Sequence, residues 1–159
     1  MIKILMTLML IGSCGVVYSS QDETTMPSNC HILSQQTAEV KLTSKKSSMV
    51  VFYNHSALDL WLIHPVKEGT MGAGWTSRLQ PGNFTALALQ DKEFIIQCIS
   101  SKPGHEQHVP CLGVTNICQW ADVTYPKNSE QGTYWAAENK KLTPLMQDLQ
   151  KRGFEFPTH

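Results

Sequence analysis

Residues 79–100 read "LQPGNFTALALQDKEFIIQCIS". Two apolar runs, 83–90 and 93–100, are rich in Thr, Phe, Leu and Ile and are set apart by "QPGN" and by Gln90-Asp91-Lys92. Runs of this length bounded by turn residues predict strands. In Gln80-Pro81-Gly82-Asn83, proline presets φ at the first central position of a type II turn and glycine supplies the positive φ of the second. Links this short cannot carry a parallel crossover, so antiparallel hairpins are expected at both.

The same pattern extends outward in both directions. "AEVKLTS" (38–44), "MVVFYN" (49–54), "LDLWLIHPV" (58–66), "GWTSRL" (74–79) and "GVTNICQW" (113–120) are short, β-rich runs separated by turn residues. The chain is therefore expected to be all-β or mainly β: a small antiparallel β-sandwich of about seven strands. One short C-terminal helix is predicted. Thr143 before Pro144 offers an N-cap, Leu145, Met146 and Leu149 recur at helical spacing, and Gly153 ends the run. Such a helix is expected to cover one open end of the sandwich.

The chain has 159 residues and 42% hydrophobic content, which fits one domain with a modest core. Thirteen basic residues balance thirteen acidic ones, so no basic field draws it to nucleic acid or an anionic membrane. "MIKILMTLMLIGSCGVVYSS" has an early Lys3, an apolar stretch too short to span a bilayer, and then small residues, the layout of a secretory signal peptide. The expected organisation is a signal peptide (1–19), a flexible polar lead-in (20–37) that Cys30 can pin, and a stapled sandwich (38–156), with no transmembrane span in the mature form. Cleavage before Ser20 gives a soluble periplasmic or secreted product. Alternatively, Ile11-Gly12-Ser13-Cys14 is a lipobox-like run that would anchor a lipoprotein through Cys14.

Without the leader, Cys30, Cys98, Cys111 and Cys118 remain, an even number in an oxidising compartment. Two disulfides are expected, in any of three connectivities. Three of these cysteines lie in "CISSKPGHEQHVPCLGVTNIC" (98–118) with His105 and His108. His105, His108 and a reduced Cys111 could hold Zn²⁺ and leave a position open for hydrolysis, which makes a small zinc-dependent envelope hydrolase the alternative function. Metal-ligand spacing on a helix is absent, however, and an exported cysteine favours a disulfide, so no metal and no cofactor are expected. No nucleophile elbow, paired-carboxylate arrangement or phosphate-binding glycine loop is present either, and no catalytic residue is assigned. The sequons at Asn54 and Asn83 are discounted because the leader looks bacterial.

Aromatic residues fall in or beside the strands and are expected mainly to fill the core. Any of Trp75, Trp120 and Trp135 that share an exposed face would mark a binding surface, together with His105 and Glu106 in the 98–118 loop.

"YNHSALDLWLIHPV", "AGWTSRLQPGNFTALAL", "FIIQC", "PGHEQHVPC" and "ICQW", with the later "GTYWAAE" and "RGFEFP", resemble the small exported "enhanced entry" proteins of Legionella-type intracellular bacteria, the EnhB-like family. The similar segments span roughly residues 50–156. The resemblance implies an exported, β-rich protein associated with entry into or survival within host cells, without an established enzymatic reaction. The expected function is that of a non-enzymatic, virulence-associated protein that binds a protein or another surface macromolecule in the bacterial envelope or at the host interface. The resemblance carries over no catalytic residue.

Overall fold

The computed structural model describes residues 25–34, 39–65, 76–102 and 104–158. The leader with Cys14, Val66 to Trp75, and Pro103 lie outside the described residues. Ten strands are described: β1 (His31–Ile32), β2 (Val40–Thr43), β3 (Ser48–Asn54), β4 (Leu60–Ile63), β5 (Thr76–Leu79), β6 (Phe84–Leu89), β7 (Glu93–Ser100), β8 (Gln107–Val109), β9 (Thr115–Trp120) and β10 (Tyr134–Lys140). They are joined by the one-turn helix α1 (Cys111–Val114) and the longer α2 (Leu142–Lys151).

All seven predicted runs contain a strand, and every strand pair is antiparallel. One sheet has the order β1-β9-β3-β6-β10, the other β2-β7-β4-β5 with β8 also on β7. The two face each other as a sandwich. Val50 and Phe52 of β3, Leu87 and Leu89 of β6, Leu60 and Leu62 of β4, and Phe94 and Ile96 of β7 form the core between them. Alternation along each strand accounts for this, because residues two apart share a face.

The hairpins expected at 80–83 and 90–92 are not formed. The turn itself is as predicted, with Asn83 N–H donating to Gln80 C=O (3.1 Å) and Gly82 at φ +68°. Yet β5 pairs with β4, β6 with β3 and β10, and β7 with β2, β4 and β8. Both short links therefore carry the chain from one sheet to the other. Turn residues fix a local bend; which neighbour a strand pairs with is decided by the layers it must cover.

α2 does not cover an open end of the sandwich, where the sequence led one to expect it. It lies over the outer face of the first sheet, where Leu145 and Leu149 pack with Met49, Val51, Phe84, Ala86 and Ala88 in a second buried cluster. This explains why β3 and β6 are buried along their whole length. The helix starts at Leu142, with Lys141 as an N-cap that makes no side-chain cap, so Thr143 is already inside the first turn. Its end follows expectation. Gly153, at φ +90°, donates to Gln150 C=O (2.9 Å) and Phe154 N–H donates to Leu149 C=O (3.1 Å), the paired bonds of a Schellman motif.

Candidate functional site

The structure closes two disulfides, Cys30–Cys118 and Cys98–Cys111. Such bonds belong to oxidising, exported environments. No helix among the described residues is long and apolar enough to cross a membrane. Cys98–Cys111 ties β7 to α1 beneath the β7–β8 hairpin, whose turn contains Gly104 at φ +77° and a hydrogen bond from His105 N–H to Lys102 C=O (2.8 Å).

This pairing corrects the zinc reading. Cys111 is fully buried and its sulfur is bonded to another sulfur, so it has no thiolate to offer a metal. His105, Glu106 and His108 are exposed at the hairpin tip and on β8, where His108 sits opposite Ile99. Among the described residues, no group of three His, Cys, Asp or Glu side chains converges to hold a metal.

The tryptophan surface is corrected as well. Trp120 is only 3% exposed, and Trp135 packs edge-on against Phe52 of the inter-sheet core (6.1 Å). They do not join His105 and Glu106 on an exposed face, and Trp75 lies outside the described residues. Trp120 has another role. It faces away from the sandwich core, opposite Met49 in register, and forms the floor of an open cavity of about 780 Å³.

Three segments wall this cavity. The lead-in Thr25–Asn29 is one side, held by the Cys30–Cys118 bond, the short β1 and the hydrogen bond from Leu33 N–H to Ile117 C=O (2.9 Å). The second is α2, through Leu142, Thr143, Met146, Gln147 and Gln150. The third is the C-terminal tail. An antiparallel bridge between Thr124 and Glu155 (3.0 and 3.1 Å) fixes it, turning Phe154 and Phe156 inward. Phe156 meets the Trp120 ring at 4.7 Å and Phe154 meets Tyr125 at 5.2 Å. The Tyr125 hydroxyl donates to Ser48 C=O (2.6 Å), and burial pushes its pKa up. A smaller cavity of about 320 Å³, bordered by His31, Gln119 and Asp122, shares Asn29, Trp120 and Pro157 with the first.

The helix is clasped to β10 from its other side. Lys140 Nζ donates to Asp148 (2.8 Å) and Arg152 approaches the same carboxylate (3.5 Å). The Lys140 hydrogen bond is the main reason the Asp148 pKa lies below its ordinary value.

Apart from Trp120, none of the lining side chains was singled out from the sequence as a binding residue. Two signals were there to read. Thr143, Gln147 and Gln150 follow one another at spacings of four and three, which puts them along one face of a helix. Met26-Pro27 is an apolar pair within the polar residues that precede Cys30 in the lead-in. Compared with protein-family models, curated proteins and solved structures, the chain matches none.

Proposed function

We propose that this chain is an exported, non-enzymatic binding protein, periplasmic or secreted, that holds a partner macromolecule in the bacterial envelope or at the host interface; its resemblance to EnhB-like proteins supports the export and the association with host cells. The observation that carries the binding reading is the cavity on the outer face of the first sheet. An open, largely apolar hollow with a polar rim is the form ligand sites usually take. Its size lies within the usual range of about 300–1,000 Å³ for such sites. A third layer of lead-in, helix and tail shapes it, and a disulfide fixes the lead-in wall.

Substitution inside the hollow tests this. Met26→Glu and Met146→Glu each place a carboxylate among apolar groups, and each is expected to weaken partner retention about tenfold or more through the cost of desolvating that charge. Invasion of host cells by the producing bacterium should fall in parallel while export and disulfide formation stay normal. Undiminished invasion with both variants correctly folded would count against the proposal.

A further inference from the structure

We infer that the hollow takes an extended peptide segment of the partner, uncharged or basic, with one apolar side chain seated against Met26, Met146 and Phe156. This rests on reading the hollow as a binding site. Four observations carry it.

The concave surface has two adjoining parts. The larger and smaller cavities share Asn29, Trp120 and Pro157 in their linings, so an occupant long enough to cross these residues, as an extended chain is, would reach both.

The apolar wall is deformable. Met26, Met146, Leu142 and Phe156 are all half-buried, and methionine's flexible, polarisable side chain adapts to inserted groups of differing shape. Trp120, at 3% exposure, offers almost none of its ring face. A sugar ring would need that face to stack on, whereas an inserted side chain does not.

The rim can read a peptide backbone. Thr143, Gln147 and Gln150 are exposed along the helix beside the hollow. Each glutamine carboxamide has both donors and an acceptor, matching the alternating C=O and N–H groups of an extended chain.

The charge is one-sided. Glu155 lines the larger cavity, and that lining contains no lysine or arginine, whereas Asp122 beside the smaller one is paired with Lys46 (2.9 Å). Phosphorylated and acidic ligands find no lysine or arginine in the lining of the larger cavity.

The test is an NMR titration of the exported, oxidised protein. The readouts are the Trp120 indole N–H, assigned with Trp120→Phe, and the Gln147 and Gln150 carboxamides. The probes are acetylated, amidated hexapeptides centred on Leu, Met or Phe and flanked by Gly, Lys or Asp, alongside a neutral β-linked glucose tetrasaccharide. The expected result is that Gly- and Lys-flanked peptides shift these signals, and that Asp flanks weaken binding about fivefold at low salt through close like charges. Gln147→Arg, an exposed substitution that leaves the core intact, should reverse the preference toward Asp flanks. If the tetrasaccharide alone shifts the signals, the peptide assignment is overturned and the binding site stands. If neither probe shifts them, the peptide assignment is likewise overturned, and the binding site falls with it only when Met26→Glu and Met146→Glu also leave partner retention intact.

Discussion

Asn54 uses its whole side-chain hydrogen-bonding capacity inside the protein. Its Nδ2 donates to Leu58 C=O (2.7 Å) and Leu79 C=O (2.9 Å), and its Oδ1 accepts from Ser56 N–H (3.0 Å) and the Ser56 hydroxyl (2.7 Å). The residue is fully buried at the end of β3, so it joins the turn that follows to the end of β5. Asn54→Ala would strand buried carbonyls and should cost about 2–3 kcal/mol, read as a lower denaturant midpoint at unchanged slope. A midpoint within error of the parent would contradict this. The burial also removes Asn54 as a glycan acceptor. From sequence, "NHS" offered only a sequon and a turn, because Leu79 is 25 residues away and the bond to it exists only once the strands assemble. Gly153 is the opposite case. Its position after a helical run was legible, since its left-handed φ is a local need; Gly153→Ala should cost about 1 kcal/mol. Phe154 to Phe156 follow directly, so the same change should move the Trp120 indole signal.

At the scale of elements, the lead-in is the part whose structure depends most on one bond. Cys30–Cys118 joins residues 88 apart, while Cys98–Cys111 spans 13. In the chain-entropy view the longer loop constrains the unfolded chain more, by about 1–2 kcal/mol beyond the roughly 3 kcal/mol of the shorter. The Cys30→Ser/Cys118→Ser pair should therefore lower Tm more than Cys98→Ser/Cys111→Ser. Only the first pair should expose Trp120, seen as red-shifted emission; a shift from the second pair alone would contradict this assignment of walls.

The clasp on α2 gives a pH dependence. The folded pKa of Asp148 is depressed below its ordinary 3.8, so its contribution is complete above that value and is lost as pH falls through the folded one. Because the groups are partly in solvent, the contribution is about 0.2–1 kcal/mol. Asp148→Asn should remove it at pH 7 and make little difference at pH 2, as measured by urea unfolding at both.

Elements were legible unevenly. β3, β6 and β7 announced themselves through β-branched and aromatic residues. β10 did not, because Ala136, Ala137, Glu138, Asn139 and Lys140 have weak strand preference, and its pairing with β6 is interrupted by two register shifts. Its stability comes from what covers it: Asn139 accepts from Gln80 N–H (2.9 Å) and Asn83 Nδ2 (2.9 Å), and α2 packs alongside.

The whole molecule is a sandwich with a third layer on one face. That layer explains the mismatch between the sites expected and the site found. Tryptophans were legible as large apolar groups in strands, but whether one faces the inter-sheet core, solvent or a hollow depends on which face of its sheet the assembled register gives it. Trp120 on β9 and Trp135 on β10 belong to the same sheet and point to its opposite faces. The histidines of the 98–118 stretch were prominent in sequence and are exposed in the fold, whereas the hollow is assembled from a lead-in and a helix-and-tail stretch more than a hundred residues apart, each bland when read alone. Cys30 was the one legible link between them, since pinning the lead-in creates a wall.

Site-specific photo-crosslinking in the cells that produce the protein tests the binding role most directly. A photoreactive side chain is placed in turn at Gln147 on the rim, at His105 on the hairpin tip and at Lys41 on the outer face of the second sheet. A partner in the hollow predicts a discrete protein adduct from Gln147, absent from the other two and abolished by Met146→Glu. Adducts from His105 or Lys41 with none from Gln147 would move the contact to the exposed loop or the other sheet and contradict the role assigned to the hollow.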